Sequence, residues 1–126
     1  MLVALFALLF LGGGGDSYLL GRIDMIIDNV KTEVQSEDRR EQAVEILKAA
    51  EDDTEDFKKR QLDRAEDLDR LNKTRDFDTA AADAVWDAVF NDVEGYHELL
   101  LSRRQELKSV VSRDEWARVF APGAAD

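Results

Sequence analysis

One stretch, residues 79–111, limits what this chain can fold into more than any other. Its apolar side chains recur every three or four residues, a few neighbours widen this row, and acidic and amide side chains occupy the opposite side. The row consists of Val85, Val89, Val93, Tyr96, Leu100, Arg104, Leu107 and Val111, and it is widened by Trp86, Phe90, His97 and Leu101. This pattern predicts an amphipathic helix with one face in a core. Such a helix would be about 50 Å long, so other segments must lie alongside it.

Residues that break helices are rare in most of the chain. Of its 126 residues one is proline, Pro122, and between Arg22 and Ala121 the only glycine is Gly95. The abundant residues, Ala, Glu, Asp, Leu and Arg, are typical of helical proteins. No segment alternates with the period of two that a strand requires. We therefore predict an all-α protein with one helical domain, residues 16–121, and a disordered tail, residues 122–126.

Two helices are predicted before the long amphipathic one. Asp16 or Ser17 caps the first, whose seam has the 3-4 spacing of a helix. Ser36 caps the second, which carries a heptad seam over four repeats. The first seam contains Leu20, Ile23, Ile27, Val30 and Val34; the second contains Ala43, Leu47, Ala50, Thr54, Phe57, Gln61, Arg64, Leu68 and Leu71. Because the second seam is polar in its middle, a partner helix there must accept hydrated or paired side chains.

A turn and a short last helix complete the predicted fold. Residues 72–78 lack an apolar row and end in good N-cap residues, so we place the turn of a long antiparallel hairpin there. Ser112 and Glu115 have the spacing of a capping box, and a short helix with Trp116 and Phe120 on its apolar face follows. We expect the first and last helices to pack at the open end of the hairpin. Ser112, Glu115, Trp116 and Phe120 would form a structural clamp there.

The N-terminal segment is expected to act separately from this fold. Leu2 to Leu11 are all apolar, and four glycines, residues 12–15, follow. Ten residues span about 15 Å as a helix, against about 30 Å for a bilayer core, so the length fits the hydrophobic region of a secretory signal. No Lys or Arg precedes the run. We expect residues 1–15 to be a signal peptide or a membrane anchor that places the protein in the cell envelope, periplasmic or membrane-anchored. The alternative is a buried N-terminal segment of a cytosolic protein.

The charge of the chain limits its partners. The formal net charge is −11, and acidic residues are spread along the whole sequence. Such a surface repels phosphate, so nucleic acid and anionic lipid headgroups are not expected to bind it. The chain has no cysteine, which leaves no disulfide, thiolate metal site or thiol chemistry.

Two acidic motifs resemble metal sites and are better explained as helix surface. Residues 51–56 contain five carboxylates, yet consecutive helical residues fan around the axis and do not converge on one ion. Glu94 and His97 have the Glu-x-x-His spacing of di-iron proteins, but such a centre needs two of these motifs and His97 is the only histidine. We find no nucleophile paired with a base and no glycine-rich phosphate loop. We therefore predict no catalytic, cofactor or metal residues and no enzymatic activity.

The C-terminal motif carries a family resemblance. The run Ser112-x-x-Glu115-Trp116-x-x-Val119-Phe120 resembles the ending of small exported helical proteins of bacteria. The general layout also resembles the periplasmic Spy/CpxP group, which has long helical hairpins and a Leu-Thr-x-x-Gln motif. Here Val111-Ser112 stands for Leu-Thr, Glu115 stands at the position of Gln, and the surface is acidic. The resemblance implies a role in envelope stress or in metal-related binding.

The predicted hairpin suggests an interaction surface. Between about Thr54 and Glu94 two helices alone form the hairpin, and Trp86 and Phe90 widen the apolar face beyond what one partner helix can cover. We expect these two residues, together with Phe77, to contact a protein partner or a second copy of the chain; the alternative is that Leu62 and Phe57 cover both aromatics. The predicted function is that of a non-enzymatic, envelope-associated interaction or scaffold protein. A periplasmic metal- or stress-sensing binding protein is the alternative.

Overall fold

The computed structural model describes the backbone of residues 14–120 and the side chains of residues 19–120. These residues form four helices and no strand: α1, Gly14–Glu33; α2, Glu37–Lys73; α3, Thr79–Val110; and α4, Arg113–Phe120. The prediction of an all-α protein is confirmed. The tail and the apolar run at Leu2–Leu11 lie outside the described residues.

Side-chain caps fix the ends of the two long helices. The Ser36 hydroxyl accepts a hydrogen bond from the Arg39 N–H at 3.4 Å, and the Asp78 carboxylate accepts one from the Ala81 N–H at 3.0 Å. Ser36 was the predicted cap of α2, and Asp78 is one of the group of candidates predicted before α3, because short polar side chains can satisfy the free N–H groups of a first turn. The predicted cap of α1 at Asp16 or Ser17 is wrong, because both residues lie inside the helix, which is already present at Gly14, the first residue described.

Helices α2 and α3 form the predicted antiparallel hairpin, with its turn at residues 74–78. Their side-chain contacts run in opposite order along the two helices, as an antiparallel pair requires. From the open end toward the turn, the contacts are Arg39 Nη1 to Val110 O at 2.9 Å, Arg103 Nε to Asp53 Oδ2 at 2.9 Å, and Arg64 Nε to Asp92 Oδ2 at 3.2 Å.

The hydrophobic core lies at the open end of the hairpin, where all four helices meet. Helix α1 packs along the first half of α2, and α4 packs on α1 through a hydrogen bond from Asn29 Nδ2 to Val119 O at 2.8 Å. The core residues are Ile23, Ile26, Ile27, Val30, Val34, Ala43, Leu47, Ala50, Leu107, Val111 and Val119. Helix α1 supplies four of these eleven residues and Val34 follows it directly, so the hairpin depends on α1 for part of its core.

A buried carboxylate joins the chain segments at this end. Glu115 is 3% exposed, and its two oxygens accept hydrogen bonds from Arg39 Nη1 at 2.6 Å, the Gln35 N–H at 2.9 Å and the Ser112 N–H at 3.0 Å. The Glu115 N–H donates to Ser112 Oγ at 3.2 Å, so both bonds of the capping box are present. One side chain therefore links the α1–α2 connection, the first turn of α2 and the start of α4.

The aromatic residues of α4 are less buried than expected for a clamp. Trp116 and Phe120 are half-buried, with ring centroids 4.5 Å apart, and they pack against the edge of the core. Val119, between them in sequence, is fully buried. The anchoring of α4 therefore depends on Glu115 and Val119, and the two aromatic rings cover these residues from outside.

We expect Glu115→Ala to lower the free energy of unfolding by about 2–4 kcal/mol. Removing one member of a buried, hydrogen-bonded pair costs about 3–5 kcal/mol, and solvent around Arg39 reduces this value because its side chain is 36% exposed. Asp114→Ala is the control, since Asp114 is an exposed carboxylate in the same first turn, and it should cost less than about 1 kcal/mol. Urea unfolding at neutral pH measures both values, and equal losses would contradict the assigned role of Glu115.

Candidate interaction surface

The part of the hairpin between Thr54 and Tyr96 extends away from the core, and we call it the arm. Its base is a stacked pair of rings, Phe57 and Tyr96, whose centroids are 4.3 Å apart with planes 9° from parallel. The Tyr96 hydroxyl lies 2.6 Å from Thr54 Oγ1, and Thr54 also donates to the Ala50 carbonyl at 2.8 Å. The polar position at Thr54 in the α2 seam is therefore satisfied inside the protein.

The two other polar seam positions differ from each other. Arg64 reaches Asp92 of α3 at 3.2 Å, with Arg60 at 3.9 Å from the same carboxylate. Gln61 is 2% exposed, and its side-chain nitrogen has no hydrogen-bond acceptor among the described residues. A buried donor without a partner costs about 1–3 kcal/mol, so this layer stabilises the arm less than an apolar layer would.

Trp86 and Phe90 lie together on one side of the arm. Their ring centroids are 6.4 Å apart and tilted by 33°; Trp86 is half-buried and Phe90 is 46% exposed. Phe90 and Asp92 are two residues apart on one helix, so they project to nearly opposite sides. Phe90 is thus left uncovered by the described residues, and Phe57, one of the two residues that could cover the pair, is buried against Tyr96.

Phe77 belongs to a different place on the surface. It lies in the turn between α2 and α3 and is 48% exposed. The first turns of α3, about 16 Å of helix, separate it from Phe90. The structure thus brings two of the three predicted contact residues together and places the third at the tip of the arm.

The motifs that resembled metal sites are separated in space. In the acidic cluster at residues 51–56, Asp53 forms an ion pair with Arg103, and Glu51 lies beside Asp24 of α1. In the second motif, Glu94 and His97 are both exposed on α3. Within residues 14–120, no three His, Asp or Glu side chains are grouped so that they could hold a metal ion. No helix in this part of the chain is long and apolar enough to cross a membrane.

Two carboxyl groups meet where α1 covers the start of the arm. The side chains of Glu51 and Asp24 are within hydrogen-bonding range, and this contact, burial and the charges of Asp24, Glu55 and Asp52 raise the pKa of Glu51 to about 7. Glu51 Oε1 is buried and accepts no hydrogen bond from the described residues. The opposite shift occurs at Glu115, where the hydrogen bond from Arg39 holds the pKa of the carboxyl well below its usual range despite burial.

Sequence reasoning did not identify Arg39 and Asp24 as partners of these carboxylates. Each lies on a different helix from its partner, and neither pair has a spacing that a sequence pattern reveals. Comparison with protein-family models, curated proteins and solved structures gives no match for this chain. The resemblance to exported helical proteins and to the Spy/CpxP group therefore stays a prediction.

The Glu51–Asp24 contact predicts a pH-dependent stability. The ordinary pKa of Glu51 is 4.5 and folding raises it to about 7, so the folded state binds the proton more tightly than the unfolded state. This contribution is complete below pH 4.5 and is lost as the pH rises through about 7. We expect Glu51→Gln, which cannot ionise, to gain stability relative to the wild-type chain over this range.

Urea unfolding of Glu51→Gln and of the wild-type chain over the same pH range measures their two free energies of unfolding. Taking the difference between them cancels the titration of the groups that both proteins share. Glu66→Gln is the matched control, because Glu66 is an exposed carboxylate of α2 that does not contribute to the pKa shift of Glu51. If the Glu51→Gln difference is independent of pH, folding does not raise the pKa of Glu51.

Proposed function

We propose that this protein is a non-enzymatic helical interaction or scaffold protein whose arm binds a protein partner, including a second copy of itself. The observation that supports this proposal is the aromatic pair on the arm: Phe90 is 46% exposed and lies beside Trp86, on the side away from the Arg64–Asp92 ion pair. Exposed aromatic residues of this kind are enriched in protein contact surfaces.

The construction of the arm also favours this proposal. A core-facing Phe90 would be covered by another helix, yet α1 and α4 pack against the other end of the hairpin. Leu62 on α2 is exposed to a similar extent as Phe90, so both helices of the arm carry uncovered apolar side chains. Pairing two arms would remove such side chains from water, and most homo-oligomers are two-fold dimers.

The location in the cell envelope depends on the apolar run at Leu2–Leu11, outside the described residues, and it stays a prediction. The alternative function, metal or stress sensing, would need a ligand site, and no grouping of metal-binding side chains in the described part of the chain favours it. The excess of acidic side chains also disfavours nucleic acid as the partner.

We expect Phe90→Glu to weaken self-association at least about tenfold, because it places a charge in the centre of the proposed contact without disturbing a buried residue. Leu99→Glu is the matched control, since Leu99 is another exposed apolar residue of α3 and lies beyond the arm. Sedimentation equilibrium at tens of micromolar measures the dissociation constant of the dimer. A wild-type chain that stays monomeric under these conditions would rule out pairing of arms.

A further inference from the structure

A groove at the open end of the hairpin has no role in the fold or in the proposed arm contact. It measures about 460 Å³ and lies where the last turns of α3 meet the first turn of α4. Its lining is Arg104, Lys108, Val111, Ser112, Arg113 and Trp116. Val111 and Trp116 are apolar, and the Arg104 guanidinium lies 5.3 Å from the centre of the Trp116 ring. The groove therefore combines an apolar wall with positive charge.

Three cations and no carboxylate line this groove, although other basic side chains such as Arg40 and Arg75 also lack an ion pair within the described residues. The chain has 28 acidic and 17 basic side chains, yet none of the three forms an ion pair with another residue of the described range 14–120. The arginines that do pair with a carboxylate are Arg39, Arg60, Arg64, Arg70, Arg103 and Arg118. Clustered cations without a local partner make the groove a positive region on a negative surface.

The tip of the arm carries an aromatic ring flanked by two carboxylates, with Arg75 next to them. Phe77 is 48% exposed in the turn, and it lies between two acidic residues, Asp76 and Asp78. Asp78 caps α3 through one carboxylate oxygen, and Asp76 is exposed. Turns usually carry polar side chains and glycine, so a phenylalanine that packs into no core calls for another explanation.

The tip and the groove of one molecule cannot meet. They lie at opposite ends of α3, whose 32 residues extend about 48 Å. A contact between them therefore needs two molecules, each using a different surface. Such a head-to-tail contact leaves one free tip and one free groove, so it repeats along an open chain of molecules.

We propose that the Phe77 tip of one molecule binds in the Arg104–Trp116 groove of a second copy. The Phe77 ring packs against the accessible part of the half-buried Trp116 ring, and the flanking carboxylates face the guanidinium groups of the groove. The proposal rests on the scaffold function proposed above, but it uses residues separate from Phe90. Contacts of this kind join molecules into a linear assembly, in addition to any pairing of arms.

Two variants of the full chain test this proposal, one for each surface. Phe77→Asp removes the ring from the tip and leaves the groove intact. The double variant Arg104→Glu/Arg113→Glu reverses two charges of the groove and leaves the tip intact. All three residues are exposed, so both variants should keep the helical content and the cooperative melting of the wild-type chain. Phe77→Ser and Arg113→Ala provide milder changes if either variant unfolds.

Sedimentation equilibrium gives the decisive result. The weight-average mass of the wild-type chain should rise without limit as concentration increases, and more steeply at low salt. Each variant alone should self-associate with a dissociation constant at least about tenfold higher than that of the wild-type chain. An equimolar mixture of the two should form a one-to-one complex and grow no further, because its remaining tip and groove are both inactivated.

Each other result overturns the proposal. A wild-type chain that stays monomeric shows that the groove does not accept a second copy, and a mixture that fails to associate shows that tip and groove are not partners. Loss of association in Phe90→Glu, with no effect of Phe77→Asp, shows that the arms pair side by side only. That result leaves the proposed function standing while the head-to-tail contact fails.

Discussion

The bond network of Glu115 is the interaction on which the rest of the structure depends. Helix α4 has eight residues and could not persist alone, since short helices are marginal in water. Glu115 anchors it by accepting hydrogen bonds from Arg39 and from two backbone N–H groups of separate connections. With α4 in place, Val119 closes the core that α1 shares with the hairpin. One carboxylate thus holds together segments that are far apart in sequence.

In the arm, α2 and α3 pack only against each other, outside that core. Along its interior, apolar layers alternate with polar layers: the Phe57–Tyr96 stack with its Thr54 hydrogen bond, the unpartnered amide of Gln61, and the Arg64–Asp92 ion pair. The two paired polar layers fix the alignment of the helices, because a shift would leave Thr54 and Arg64 without their partners on α3. They also contribute less stability than apolar layers, which is consistent with an arm that keeps some of its surface for other contacts.

The sequence predicted the helices and their caps well, and long-range pairs poorly. Periodicity and capping residues such as Ser36 and Asp78 act within a few residues, so they locate helix ends without knowledge of the fold. The partners Arg39 and Asp24 depend on how helices lie against one another, which spacing along one helix does not reveal. The same limit explains Trp116, expected at the centre of the clamp and found at its edge, where Val119 takes the buried position. Phe77, Trp86 and Phe90 were grouped by type, and the structure separates Phe77 from the other two.

Because the core lies at one end of the hairpin, the turn at the other end is a whole helix length away from it. Helix α3 is about 48 Å long, so a tilt of about 5° between the hairpin and α1 would move the turn by about 4 Å. The contacts that set this angle, between α1, α2 and α4, lie in the half of the molecule that is away from the turn. A small change of the angle at the open end therefore becomes a displacement of several ångström at the turn.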